Sequence, residues 1–152
     1  MKRLSAAYGL TCVLPLVAHA AALPNYSGTW VLDTYQTRDL PPNVKMTDLV
    51  VTQDPQKLTV RTNRGEIIYN LDGTESTIQI QGGTATASLA KKNDEKIVLH
   101  TKKEIVSEGK RLTFTTTETW ELRGEGKRLK VISATKGPNG VQELTLFFRL
   151  KK

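Results

Sequence analysis

Past an apolar N-terminal leader the chain alternates apolar and polar side chains with period two, and no stretch sustains a helical repeat. Such a pattern builds strands with one apolar face and leaves no helix to cover it. Ten runs fit: 28–33, 48–53, 56–63, 66–72, 75–81, 84–91, 95–106, 111–123, 128–136 and 141–150. The breaks between them carry turn chemistry, with Arg64-Gly65, Asp72-Gly73, Gly82-Gly83 and Glu108-Gly109 each supplying a residue that tolerates positive φ.

Short turns fix registers, and because side chains alternate faces each register can be tested for consistency. A turn at Glu108-Gly109 pairs Ser107 with Lys110, then on one face Ile105 with Leu112, Lys103 with Phe114, Thr101 with Thr116, Leu99 with Glu118 and Ile97 with Trp120. A loop at 124–127 pairs Leu122 with Leu129, Trp120 with Val131, Glu118 with Ser133 and Thr116 with Thr135. A turn at 137–140 adds Thr135 with Gln142, Ser133 with Leu144, Val131 with Leu146 and Leu129 with Phe148. These hairpins agree on which face is inside. In the N-terminal half, Arg64-Gly65 sets Thr62 against Ile67, Val60 against Tyr69 and Leu58 against Leu71. Asp72-Gly73 then sets Ile67 against Ile78, and Gly82-Gly83 sets Ile78 against Ala87 and Ile80 against Ala85. The opposite face is polar and threonine-rich, with Glu121 between Lys96 and Lys130.

The economical way to bury one wide apolar face is closure on itself. The expected fold is therefore all-β, an antiparallel up-and-down meander of about eight to ten strands closed into a barrel, which also removes edge strands. A two-sheet sandwich is the alternative. It needs long inter-sheet crossings, and the one long connection is 34–47.

The leader opens with Lys2 and Arg3, runs apolar to about Val17 and ends Ala18-His19-Ala20, the form of a secretory signal. Cleavage is expected after Ala20, with Ala22 the alternative, leaving 21–152 as one barrel domain and a periplasmic or secreted protein. Cys12 falls inside the leader, and Gly9-Leu10-Thr11 before it fits a lipoprotein signal poorly, so the mature chain has neither thiol nor disulfide. The whole chain carries a net charge of +7, which loss of Lys2 and Arg3 lowers to +5. That modest excess suits a monomer with at most weak attraction to anionic envelope surfaces.

Gly28-Thr29-Trp30, opening the first strand of a small meander barrel, resembles the opening motif of the calycin superfamily, the lipocalins and fatty-acid-binding proteins. Together with Leu71-Asp72-Gly73-Thr74-Glu75, Thr119-Trp120-Glu121-Leu122 and Gly126-Lys127-Arg128-Leu129, the pattern looks like a set of small exported bacterial lipocalin-like proteins, mostly of unassigned function. The likeness spans nearly the whole mature chain and implies a lipocalin-like barrel. Fatty-acid-binding proteins insert a helical pair after the first strand, whereas 34–47 holds Pro41-Pro42, so a lipocalin-like loop is the closer analogy. Lipocalins also pack a late arginine on the first-strand tryptophan. Arg149 is the candidate in the last strand, and the register points it outward, opposite Arg128.

Closure sets the first strand beside the last, so Trp30 is expected level with Leu146 and Phe148. Gly28, Trp30, Trp120 and Phe148 then anchor a closed floor. Toward the other end the inward face turns polar: Thr101, Thr116, Thr135 and Gln142 form one row, with Glu118 and Ser133 nearer the floor and Lys103 with Phe114 nearer the rim. The loop 34–47, with Tyr35, Leu40, Pro41, Pro42 and Met46, is expected above this mouth as a lid. These rows are the candidate ligand site, taking a small apolar or amphipathic molecule with its acidic or hydrogen-bonding end toward Lys103 and the threonines. A void lined by Phe114, Leu99, Leu144 and Ile105 is the expected sign of a hollow barrel. A filled structural or protein-interaction barrel of the envelope is the alternative.

Glu118 beside Trp120 needs a donor or water, and a structural bond to Ser133 is expected ahead of a ligand contact. Catalysis has little support: His100 is predicted outward beside Thr117, and Glu118 and Lys103 stand more than one row apart. No cluster has metal-ligand spacing and no phosphate-binding loop occurs, so no cofactor or metal is expected. Dispersed lysine pairs with few aromatics argue against nucleic acid. Asn25-Tyr26-Ser27 is a formal glycosylation sequon at the edge of the first strand.

Overall fold

The computed structural model describes residues 23–38, 40–42 and 48–152. The leader with Cys12 and its cleavage site, and Met46 of the expected lid, lie outside these residues. Ten strands follow in order: β1 (Gly28–Leu32), β2 (Leu49–Gln53), β3 (Lys57–Thr62), β4 (Gly65–Asn70), β5 (Ser76–Ile80), β6 (Gly83–Lys92), β7 (Lys96–Ser107), β8 (Lys110–Arg123), β9 (Arg128–Gly137) and β10 (Gly140–Leu150). All pair antiparallel in one sheet, β4-β3-β2-β1-β10-β9-β8-β7-β6-β5, and no helix occurs among the described residues. The two ends of that order, β4 and β5, approach without a ladder. Ser76 spans the gap, its hydroxyl donating to Ile68 O of β4 while lying 3.3 Å from Ala87 O of β6. The molecule is a nearly closed barrel with one seam.

From β7 to β10 every expected pairing holds, from Ser107↔Lys110 through Thr101↔Thr116 and Glu118↔Ser133 to Leu129↔Phe148. Two N-terminal hairpins differ by two residues. Val60 faces Ile67 and Leu58 faces Tyr69, because the turn is Asn63-Arg64. Ile78 faces Ala85 and Ile80 faces Gly83, because the turn is Gln81-Gly82. Ile67 does not pair with Ile78, since the seam lies between them.

The core fills one end of the barrel, with Trp30, Trp120, Phe148, Leu58, Ile97 and Leu129 almost fully buried. Trp30 pairs with Leu150, and Leu32 with Phe148, so the first-strand tryptophan sits one inward row deeper than expected. Arg149 faces outward opposite Val31 and Arg128, and its Nε lies 3.4 Å from Asp33 Oδ2. It does not pack on Trp30. The floor is closed by the segment before β1. Tyr26 is completely buried, meets Trp120 edge-on at 5.9 Å and donates its hydroxyl to Trp120 O at 3.3 Å. Its own carbonyl accepts Trp30 Nε1–H at 2.9 Å. Gln53 holds the segment in place, with its side-chain oxygen accepting Tyr26 N–H and its amide donating to Pro24 O. The sequon is thus part of the floor, with Asn25 Oδ1 accepting Ser27 N–H.

Candidate functional site

Above this floor the barrel encloses a cavity of about 490 Å³. Trp120, Val131, Leu146 and Phe148 form its apolar bottom, and Leu49, Val60 and Ile67 line the wall from β2 to β4. Around its middle runs a polar band of Tyr69, Thr101, Thr116, Glu118, Ser133 and Thr135. Its opening lies between the β3–β4 and β5–β6 turns, with Arg64, Glu66, Gln79, Gln81 and Lys103 at the margin.

Six of the eight residues expected at the mouth therefore share one cavity: Thr101, Lys103, Thr116, Glu118, Ser133 and Thr135. Phe114 and Gln142 do not. They face a separate hollow of about 200 Å³ at the β9–β10 turn, where the Phe114 ring covers Gly137. The β7–β10 strands are longer than those opposite, so their upper rows rise past the short N-terminal hairpins and have no facing wall. The void also differs from expectation: Phe114, Leu99, Leu144 and Ile105 do not line it. Leu99 is sealed in the core beside its ladder partner Leu89.

The described residues of the expected lid do not lie over the cavity. Strand β1 ends at Leu32, still level with Phe148, and the chain is then clasped to β10, with Asp33 N–H donating to Phe147 O at 2.7 Å and Phe147 N–H to Thr37 Oγ1 at 2.9 Å. Asp33 Oδ1 caps the turn by accepting from Tyr35 N–H and Gln36 N–H. Tyr35 is 89% exposed, Leu40 packs on the core, and none of the described residues of this loop lines the cavity.

Hydrogen bonds order the polar band. Thr116 and Thr135 hydroxyls meet at 3.0 Å across the β8–β9 ladder. Tyr69 and Thr101 hydroxyls meet at 2.8 Å across the lumen from β4 to β7. Glu118 takes its bond from Trp120 Nε1–H at 2.9 Å rather than from Ser133, because positions two apart on a strand share a face and the indole reaches along its own strand. Glu118 is part-buried and fronts the cavity. Burial pushes its carboxyl above the ordinary value, only partly opposed by the Trp120 bond and by the Lys103 charge. Burial, with the Glu118 charge nearby, also drives the Tyr69 hydroxyl well above its ordinary range. On the floor, burial and the Glu121 carboxylate push Tyr26 up to about 12. His100 is exposed on the outer face opposite Thr117.

Tyr69, Arg64, Gln79 and Gln81 are cavity residues that hairpin registers did not place in the site: Tyr69 reaches it across the lumen from β4, and the other three stand around the opening. The available signal was the inward phase of Tyr69 on β4.

A larger hollow of about 1010 Å³ lies outside the barrel at the floor end, along the β2–β3 and β4–β5 connections. It opens broadly to solvent, and its polar groups are already engaged: Asp54 Oδ1 accepts Gln56 and Lys57 N–H, Asp72 Oδ1 accepts Thr74 N–H, and Lys92 Nζ donates to Leu71 O. The barrel cavity is the better site on chemical grounds, since it is the deeper and less open of the two and pairs an apolar bottom with convergent polar groups.

No protein-family model matches the chain, and no curated protein does at a significant level. Among solved structures, the chain is similar to a luciferase domain from the dinoflagellate Lingulodinium polyedrum, with a TM-score of 0.52 at 9% identity. The match covers 84% of this chain and 43% of that one, so the chain spans less than half its length. At that identity the likeness concerns the fold alone.

Proposed function

We propose that the chain is an exported, non-enzymatic binding module that holds one small amphipathic molecule inside a lipocalin-like barrel. The enclosed cavity carries this reading. Its volume of about 490 Å³ falls within the roughly 300–1,000 Å³ of small-molecule sites. It is graded from an aromatic and aliphatic bottom to a band of hydroxyls and one carboxylate, so a ligand gains by burying its apolar part on Trp120 and Phe148 and its polar part in the band. A filled barrel would have no such void. Export rests on the leader, and the luciferase likeness lends this chain no reaction.

Native mass spectrometry of protein purified from its own host tests the reading, followed by titration with a panel of fatty acids, alcohols and amines. A co-purifying small molecule is expected, and it should be lost from Ser133→Leu, which fills the lumen next to Glu118. A clean apo mass together with no binding across the panel would overturn it.

A further inference from the structure

The geometry points to Glu118 as the receiving group for a protonated amine on the ligand, so that the module selects cationic amphiphiles over acids and alcohols of the same length. This inference rests on reading the enclosed cavity as the binding site. Three charges front that cavity without a salt bridge among the described residues, the cations Arg64 and Lys103 at the opening and the carboxylate Glu118 below them, whereas Glu66 at the margin is taken by Arg61 at 2.6 Å.

The cations and the carboxylate differ in what an incoming charge would gain. Lys103 is only half-buried and sits at the opening, where water solvates it, and an ion pair formed there adds little. Glu118 is also part-buried, but it lies deeper in the barrel, one inward row above Trp120 on the same strand, and it accepts the indole N–H. A carboxylate that gives up the lumen's water to a seated ligand is costly without a counter-charge, and a cationic ligand group recovers that cost. Its strand partner Leu99 lies two inward rows from Lys103 along β7, roughly 13 Å at the strand rise. Lys103 therefore weakens the cost without removing it.

The surroundings of Glu118 suit an ammonium. Ser133 lies directly opposite it in the β8–β9 ladder, and the Tyr69–Thr101 hydroxyl pair stands one inward row nearer the mouth, Thr101 on the neighbouring β7 and Tyr69 reaching in from β4, giving oxygen acceptors for the remaining N–H groups. Trp120 meets the same carboxylate through its Nε1–H edge and fixes the carboxylate's position. Val131, Leu146 and Phe148 take an alkyl or aryl body. Arg64 and Lys103 at the opening oppose a cation's entry, but charges in contact with water are screened at physiological salt, while the Glu118 pair is not.

Titration of the unmodified chain with decylamine, 1-decanol and decanoate, followed by tryptophan fluorescence and calorimetry, decides the matter. Decylamine is expected to bind about tenfold or more tighter than the other two, the size of one good charge-assisted contact. Glu118→Gln keeps an oxygen for the Trp120 N–H, and it should erase that preference, bringing decylamine to the affinity that the same variant shows for decanol. Equal affinities, or decanoate binding tightest and losing affinity in Lys103→Met, would overturn the amine assignment while leaving the cavity in place as a binding site. Failure of all three probes would overturn the cavity reading and the amine assignment with it. The series on the unmodified chain stands even if the variant does not fold.

Discussion

Glu118 is the residue at which fold and function pull apart. A leucine there would pack against Trp120 without electrostatic cost, whereas the carboxylate is kept in a place that resists its ionisation. Tyr69 from β4 and Lys103 from β7 are the titratable groups that face it, and β9 and β10 present Ser133 and aliphatic side chains. Because its native pKa lies above the ordinary value near 4.5, the folded state binds the proton more tightly than the unfolded state does. Its contribution is most favourable below that ordinary value and is lost as pH rises through the raised one. Urea denaturation of the ligand-free protein should therefore find Glu118→Gln more stable than the parent at about pH 8, with the gap closing toward about pH 4. A gap of constant size would mean that the carboxylate is solvated. Two neighbours on β7 test the faces. Leu99 is 1% exposed and His100 is on the outside, so Leu99→Asp should cost more than about 4 kcal/mol and His100→Asp stay within about 0.5 kcal/mol in the same assay. Gly28 explains its own place in the opening motif: its φ of 144° is strained for any side chain, and a Cβ would run into Leu150. Gly28→Ala should cost about 1–3 kcal/mol.

Among elements, the sequence was most legible where strands are long and turns are tight. The four strands from β7 to β10 each carry enough inward apolar positions to make one register self-consistent across three hairpins. The short β3–β4 and β5–β6 hairpins slipped by two residues, and a slip of two leaves every side chain on its own face, so alternation could not expose it. Glycine was the misleading sign. Gly65 and Gly83 are not the turns but the first strand residues after them, and Gly83 is required because any Cβ would collide with Glu104 O of β7. A glycine that admits a neighbouring backbone looks, in sequence, like one that makes a turn. The seam was illegible for a related reason: nothing in a meander states which consecutive pair will part. With no ladder between β4 and β5, amide exchange should be fastest along their facing edges and slowest in β8 and β9. Ser76→Ala removes the bridge to Ile68 O and should lower protection on β4 by about 1 kcal/mol, leaving β8 unchanged.

At the scale of the whole molecule, the site is a consequence of closure. Polar groups that ladders keep apart, Tyr69 on β4 and Thr101 on β7, meet only because β1 joins β10 and brings the N-terminal hairpin round to face the C-terminal strands. Hence the C-terminal half of the polar band could be read from registers, and the β4 half could not. The same geometry leaves β4 and β5 without a ladder across the seam, bridged by side-chain bonds such as Ser76 on Ile68 O, whereas the opposite side is one continuous sheet through β1 and β10. A molecule seated in the lumen touches both sides of the seam and ties them together. Ligand at about a hundred times its Kd should therefore raise global stability by about 2.7 kcal/mol. The gain in amide protection should be largest at β4 and β5, the least-held strands, rather than in β8 and β9 where the ladders already hold. Hydrogen exchange with and without decylamine measures this distribution. Protection confined to β8 and β9 would place the ligand on one wall only, and a rise along the β2–β3 and β4–β5 connections alone would move it to the outer hollow beside Asp54 and Asp72.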